Sequence, residues 1–445
     1  MNKRIAIVGA GLVGSLWAVY MARKGYSVKL FDRRPDIRKM RVVQGKSINL
    51  ALSDRGWRAL KGAGIYDEIR KVALPMTGRL MHALDGTLTY QPYGKEGQAI
   101  YSVSRGVLNQ TLLDCADKYD NVELAFNLRC TDVDLDNTTL HFHDEINHQE
   151  VTERFDHIFG TDGAFSAVRT RMTKLDRFDY SQTYLDHGYK ELEIPANEDG
   201  SHRMRKDCLH IWPRGEFMMI ALPNLDGSFT CTLFIPFEGK NSLENLKTPE
   251  AVTAFFNKHF PDAVGMMPEL TEDFFANPNA SLVMTKCYPW NYQDTVCLLG
   301  DAAHAIVPFY GQGMNAGFED CTVMSQMMDE YNHDFAKIFP TFTKVRKPAG
   351  DAILELALRN YIEMRDLTAD PVFLLQKKIE ARFSSKYPDK WIPLYSQVTF
   401  SHIPYQEALA NGDKQQRIMD KIMALPDIES KWDSDEVEQL ILQQL

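Results

Sequence analysis

No stretch of this chain approaches the roughly 20 consecutive apolar residues that a membrane-spanning helix needs, so no transmembrane segment is expected. Cysteine pairs are missing too. The seven cysteines, Cys115, Cys130, Cys208, Cys231, Cys287, Cys297 and Cys321, are scattered, with no CxxC and no cluster with histidine. That pattern excludes a zinc site of ordinary ligand spacing and a disulfide framework. It reads as buried, reduced thiols in a reducing compartment, here the cytoplasm. Positive charge is in deficit: 50 Lys and Arg against 60 Asp and Glu give a net charge of −10. An acidic balance argues against a nucleic-acid partner or an anionic-membrane surface. Internal repeats and low-complexity tracts are absent, and the N-terminus runs directly into a strand pattern with no secretory leader.

What is present is enough for two or three domains with a full core: 445 residues, 44% of them hydrophobic. Residues 4–8 (RIAIV) form a β-branched apolar run, the pattern of a central strand, and feed GAGLVG. Gly9, Gly11 and Gly14 stand in the G-x-G-x-x-G order, followed by a helical pattern over 15–24, a stop at Gly25 and a second strand over 27–31 ending at Asp32. This is the βαβ plan of a dinucleotide site. The first glycine permits the tight turn, the second lets a pyrophosphate approach backbone, and the third lets helix and strand pack closely. Asp32 lies 18 residues after Gly14, where an acid accepts the ribose hydroxyls of adenosine. Asp32 also disfavours a 2′-phosphate, which turns NADPH away from this site. Arg33 and Arg34 either flank the adenosine or are solvated.

Two later strand ends carry acids. Residues 155–159 read as a strand, followed by a turn holding Asp162 and a helix from 166. Residues 296–299 read as a buried strand ending at Gly300 and Asp301. Pro308, Gly311 and Gly313 then break the chain, and a helix starts near Asn315, with Phe318, Cys321, Met324 and Met328 on one buried face. Its N-terminal N–H groups and dipole suit an electron-accepting ring lying against backbone. The bland reading of Asp301 is a helix cap. Three strand-end sites in this order imply one sheet visited early, midway and late, which an extended ligand such as FAD would span.

Between these landmarks, 46–53 is short and mixed, 54–63 is an amphipathic helix, and 78–93 reads as two strands around Asp85-Gly86. Arg105 precedes a helix over 108–118 and either pairs with phosphate or is a helix-terminal charge. The insertion from 177 to 288 reads as a mostly antiparallel sheet, with strands near Tyr180, Tyr184 and Tyr189 and over 210–213, 217–222 and 228–234. After Asp334 the pattern is helical. The tail, 432–445, is charged and no membrane anchor is expected in it.

In this order the motifs resemble the flavin-dependent aromatic hydroxylases with a single FAD-binding domain. SINLALS (47–53), SVSR (102–105), HIWPR (210–214), FMMIALPN (217–224), GDAAHAIVPFYGQGMNAGFEDC (300–321), NYIEMR (360–365) and IPLY (392–395) resemble the branch of that family that hydroxylates L-kynurenine. The resemblance covers residues 4 to 405. It implies an α/β fold: a Rossmann-like FAD-binding domain over 1–75, 100–175 and 285–333, a β-sheet substrate domain over 76–99 and 176–284, and a helical C-terminal region over 334–445 that closes the pocket. It further implies non-covalent FAD, with NADPH and O₂ as co-substrates. The reaction would be conversion of L-kynurenine to 3-hydroxy-L-kynurenine through a flavin hydroperoxide, a step of tryptophan degradation. The implied FAD contacts add Val13, Phe31, Ala51, Cys130, Gly313, Met314 and Asn315 to Gly9, Gly11, Gly14, Asp32, Arg33, Arg34, Arg105, Asp162 and Asp301. The implied substrate contacts are Arg79, Tyr93, Asn360 and Tyr395 at the carboxylate, with Phe309, Gln312, Glu363 and Met364 lining the rest. Each has a plain alternative: Arg79 a strand charge, Tyr395 a loop aromatic, Asn360 and Glu363 a solvated helix face. No general base is expected, because the aniline nitrogen of the substrate supplies the electron push. His304 reads as structural. A homodimer is compatible with the sequence and not specified by it. The competing functions are hydroxylation of another aromatic compound and flavin binding without turnover.

Overall fold

The computed structural model describes residues 3–40, 48–93, 97–364 and 370–445. Lys46 and Ser47 of the 46–53 stretch, and Arg365 of the NYIEMR motif, lie outside the described residues. A six-stranded sheet has the order Asn291–Tyr292, Val296–Leu298, His157–Gly160, Arg4–Val8, Ser27–Asp32, Val122–Phe126. All its pairs are parallel except the first, which is antiparallel. A strand buried on both faces must be apolar throughout, and Ile5, Ala6, Ile7, Ile158, Phe159, Val296, Cys297 and Leu298 are all fully buried. Helices Leu12–Arg23 and Gly313–Glu330 cover it, the second burying Phe318, Cys321, Met324 and Met328. Val8 pairs with Gly160 and Gly160 with Leu298, so the three strand ends read from the sequence lie side by side.

The second sheet has seven strands: Ala280–Tyr288, Asp179–Ile194, Phe229–Pro236, Met218–Pro223, Cys208–Pro213, Gly78–His82 and Leu88–Pro92. The early hairpin thus joins the same sheet as the insertion. Every pair is antiparallel except Gly78–His82 with Cys208–Pro213, which is parallel. Alternation divides its faces. Trp212, Met219, Cys231 and Leu233 pack under helices Pro249–His259, Pro261–Val264 and Leu270–Ala276. Met218, Ile220, Leu222, Thr232 and Phe234 look the other way, into a cavity. The covering helices are an addition to the strand-only reading of the insertion. Thr248, whose Oγ1 accepts from Ala251 N at 3.3 Å, and Pro249 at the first helical turn mark their start.

The C-terminal helices begin with Phe335–Ile362, which packs against Tyr405–Met423. The remainder has a small core of its own around Phe383, Trp391, Met419 and Ile441. No helix among the described residues is long and apolar enough to cross a membrane.

Candidate active site

A cavity of about 770 Å³ runs from the three strand ends to the C-terminal helices. At its nucleotide end the glycines do three different jobs. Gly9 has φ +103°, and a Cβ there would lie 2.6 Å from Asp162 Cα. A Cβ on Gly14 would lie 2.0 Å from the Gly9 carbonyl oxygen. Gly11 has no atom within 4 Å of its Cβ position and opens onto the cavity, at the uncapped N-terminus of helix Leu12–Arg23. A bare helix start facing open space is the cradle an anionic pyrophosphate needs, so these residues fit the dinucleotide part of FAD.

Asp32 lines the same end. Its carboxylate accepts from Ala10 N at 3.0 Å, and from Arg34 through backbone N at 2.9 Å, Nε at 3.0 Å and a terminal nitrogen at 3.0 Å. Arg34 therefore folds back onto Asp32 rather than flanking an adenosine, and a ribose would have to displace this exposed side chain. Arg33 and Phe31 line the wall, with Phe31 backed by the stacked ring of Phe142 at 4.3 Å. Cys130 completes it as a neutral packing group, its thiol pushed up to about 12 by burial.

Further along, Asp162 uses one oxygen to accept from Ala167 N at 2.7 Å, while its Oδ1 has no partner among the described residues. Asp301 and Arg105 both face the cavity. Asp301 is open to that space yet surrounded by protein, and desolvation raises its carboxyl above the ordinary value while Arg105 pulls it down. Arg105 opens the Arg105–Asp117 helix, less than one turn before the expected start at 108. Val13 fits against Gly300 and Gly317, where added Cβ atoms would lie 2.9 and 2.6 Å from it. Gly313, Met314 and Ala51 line the cavity. Asn315 does not: it is fully buried, and its side chain bonds Ser53 N at 2.9 Å, Ala51 O at 2.8 Å and Gly311 O at 2.8 Å. Its amide is a staple for the wall, with both Nδ2 hydrogens spent on backbone carbonyls. His304 lies outside the cavity lining and bonds Asp320 at 2.6 Å, whose other oxygen takes Arg346 Nε at 2.8 Å.

The far end is built on Arg79, from strand Gly78–His82, and Tyr395, from helix Leu394–Thr399. The guanidinium lies 4.6 Å from the Tyr395 ring and 5.5 Å from that of Tyr93. Tyr93, Tyr395 and Tyr310 stack nearly parallel, with ring centroids 5.4 and 5.6 Å apart. Among the described residues Arg79 Nε and Tyr93 Oη are buried without hydrogen-bond partners, and no carboxylate forms an ion pair with Arg79. A buried guanidinium without an ion pair is costly to keep and fits an incoming carboxylate. Phe309, Gln312 and Met364 line the cavity here. Tyr93, Asn360 and Glu363 stand behind the wall. Asn360 donates to the Phe309 carbonyl at 2.7 Å, and Glu363 attracts Arg79 from a distance. Tyr310, Met218, Phe234 and Thr399 also line this end and were not singled out in the sequence. The alternation of Met218–Pro223 and Phe229–Pro236 marks two of them; Thr399 carries no local signal.

The chain matches the family model described as FAD binding domain over residues 2–357. A protein of Flavobacterium johnsoniae named kynurenine 3-monooxygenase is 54% identical over 100% of this chain and 99% of its own length. One of Sus scrofa with the same name is 44% identical over 93% of this chain and 88% of its own. Among solved structures, 2-methyl-3-hydroxypyridine-5-carboxylic acid oxygenase superposes with a TM-score of 0.68 at 18% identity, covering 84% of this chain and 95% of that one. The p-nitrophenol 4-monooxygenase of Pseudomonas putida gives 0.68 at 16%, over 93% and 98%. At those identities the structures speak to the fold, which is that of the FAD-dependent aromatic hydroxylases.

Proposed function

The chain belongs to the kynurenine 3-monooxygenase family, FAD-dependent enzymes that hydroxylate L-kynurenine with NADPH and O₂, and we propose that Arg79 and Tyr395 hold the carboxylate of that substrate here. The observation that carries the assignment is the guanidinium of Arg79, set against two tyrosine rings, facing the cavity and forming no ion pair among the described residues.

Kynurenine is a zwitterion with an aniline ring, and the residues divide along that line. Arg79 gives a charged fork and Tyr395 a hydroxyl to the carboxylate. Phe309, held at 4.1 Å on Tyr361 and 4.8 Å from Phe234, presents a fixed apolar surface to the ring. Asn360 pins the Phe309 backbone, and with it the height of that surface. Gly9, Gly11, Asp162 and Asp301 would hold FAD along the strand ends, with Gly313 and Met314 also in the cavity wall. When bound, FAD supplies the activated oxygen after reduction by NADPH. The protein's task is to hold the ring carbon beside the aniline nitrogen in reach and to keep water out. The aniline nitrogen drives the attack, so no side chain is needed as a strong base, and His304 is engaged with Asp320 in any case.

The test is Arg79→Ala in steady-state assays. The Michaelis constant for kynurenine is expected to rise at least about tenfold, the loss of charged hydrogen bonds at roughly 1.5–3 kcal/mol each. Flavin content should not change, and the decarboxylated analogue should bind wild type and variant equally poorly. Unaltered kinetics on kynurenine would remove the clamp.

A further inference from the structure

Arg55 belongs to the nucleotide-binding part of the chain, in helix Asp54–Ala63, yet its guanidinium is spent mostly on the substrate end. It is 1% exposed. Its Nε donates to Val398 O at 3.0 Å and one terminal nitrogen donates to Ile403 O. Val398 sits in the last turn of helix Leu394–Thr399, where carbonyls have no partner within the helix. Arg55 therefore caps the helix that carries Tyr395, with a positive charge at its negative dipole end, and ties down the loop that follows.

The same guanidinium lies 4.0 Å from the ring centroid of Tyr405, whose hydroxyl donates to Gln312 Oε1 at 3.0 Å in the cavity wall. Its third arm pairs with Glu319 at 2.5 Å, and Glu319 bonds Arg346 at 2.7 Å. Arg346 reaches Asp320, which accepts from Gly300 N at 2.9 Å, one residue before Asp301. One buried ionic network thus touches the strand end of the flavin site and the helix that carries Tyr395, one of the two arms of the clamp.

We propose that Arg55 is a positioning residue for the substrate carboxylate: it sets the distance between Tyr395 and Arg79 by capping the Tyr395 helix from the flavin-binding side. The inference rests on the reading of Arg79 and Tyr395 as the clamp. A planar fork serving three acceptors in three directions is not replaced by an ammonium group, so Arg55→Lys keeps the charge and loses the geometry.

Arg55→Lys holoenzyme should show a Michaelis constant for kynurenine raised about tenfold, more NADPH oxidised to peroxide per product formed, and FAD affinity within about threefold of wild type. The weak binding of the decarboxylated analogue should not move, because that ligand has no carboxylate to misplace. Tyr405→Phe, which removes only the bond to Gln312, should give the same selective effect at about threefold. If Arg55→Lys does not accumulate as folded flavoprotein, Arg55→Met, which removes the bonds to Val398 and Ile403 while Glu319 keeps its pair with Arg346, carries the test. An unchanged Michaelis constant, or an equal loss for kynurenine and its analogue, overturns the proposal. Arg79→Ala run alongside separates the two readings. If it too is silent, the clamp itself is wrong; if it responds and Arg55→Lys does not, only the role of Arg55 falls.

Discussion

Gly11 and Gly14 are three residues apart, and the structure asks opposite things of them. A side chain at Gly11 meets only the cavity, whereas one at Gly14 drives into the carbonyl of Gly9. Gly11→Val is therefore expected to fold as a colourless apoprotein with a melting temperature close to that of wild-type apoprotein. Gly14→Val should lose fold stability as well, by at least the roughly 1–3 kcal/mol of an overpacked core. Thermal unfolding of the two apoproteins separates them, and equal stability would mean that Gly14 is not the contact point of helix and strand. These positions are legible because their demands are local: a turn, a close approach, an acid at a strand end. Arg55 is not legible. Its acceptors at Val398 and Ile403 are more than 300 residues away, and in the sequence it is one charge on an amphipathic helix. Asp32 lies between these cases: its place at the end of the second strand can be read, but its saturation by Ala10 and Arg34 cannot.

Strand Gly78–His82 carries Arg79, and its parallel pairing with Cys208–Pro213 is fastened by a histidine contact. His82 Nε2 lies 2.9 Å from His210 Nδ1, and His210 Nε2 donates to Arg205 O at 2.8 Å. Burial pushes the imidazole of His210 down from 6.5 to about 4. The folded state then binds its proton later than the unfolded chain as the pH falls. Its contribution to stability is complete above about pH 6.5 and drains away toward pH 4, a loss of about 3 kcal/mol for a shift of this size. Urea midpoints measured across that window should fall more steeply for wild type than for His210→Gln, and parallel acid limbs would assign the loss to other groups. Elements of this kind divide by how self-contained their signals are. Helix Asp54–Ala63 ends at Gly64 in the left-handed region, φ +75°, and both bounds stand in the sequence. The register of two distant parallel strands has no such local mark, and the helices from Pro249 to Ala276 fill a face that only the folded sheet reveals.

The cavity draws its wall from the parallel sheet, the seven-stranded sheet and the C-terminal helices together, so a ligand filling it braces all three. FAD at about 100 times its dissociation constant should add roughly 2.7 kcal/mol to the stability of the whole chain, and scanning calorimetry should show the main transition rising by several degrees. A shift confined to a minor early transition would mean that FAD braces one region alone. The sheet order has a further consequence, in time rather than space. The central strand, Arg4–Val8, leaves the ribosome before its partners: one neighbour arrives with His157–Gly160 and the strand beyond it with Val296–Leu298. About 300 residues separate Gly9 from Gly313, and at about 5–20 residues per second they take roughly 15–60 s to make. For that interval the nucleotide fingerprint exists without a complete site, and once His157–Gly160 has joined the sheet its apolar outer edge waits for Val296–Leu298. Flavin capture thus waits until about two thirds of the molecule has been made, and until then the half-built sheet carries the kind of unpaired apolar edge that makes nascent chains prone to aggregate.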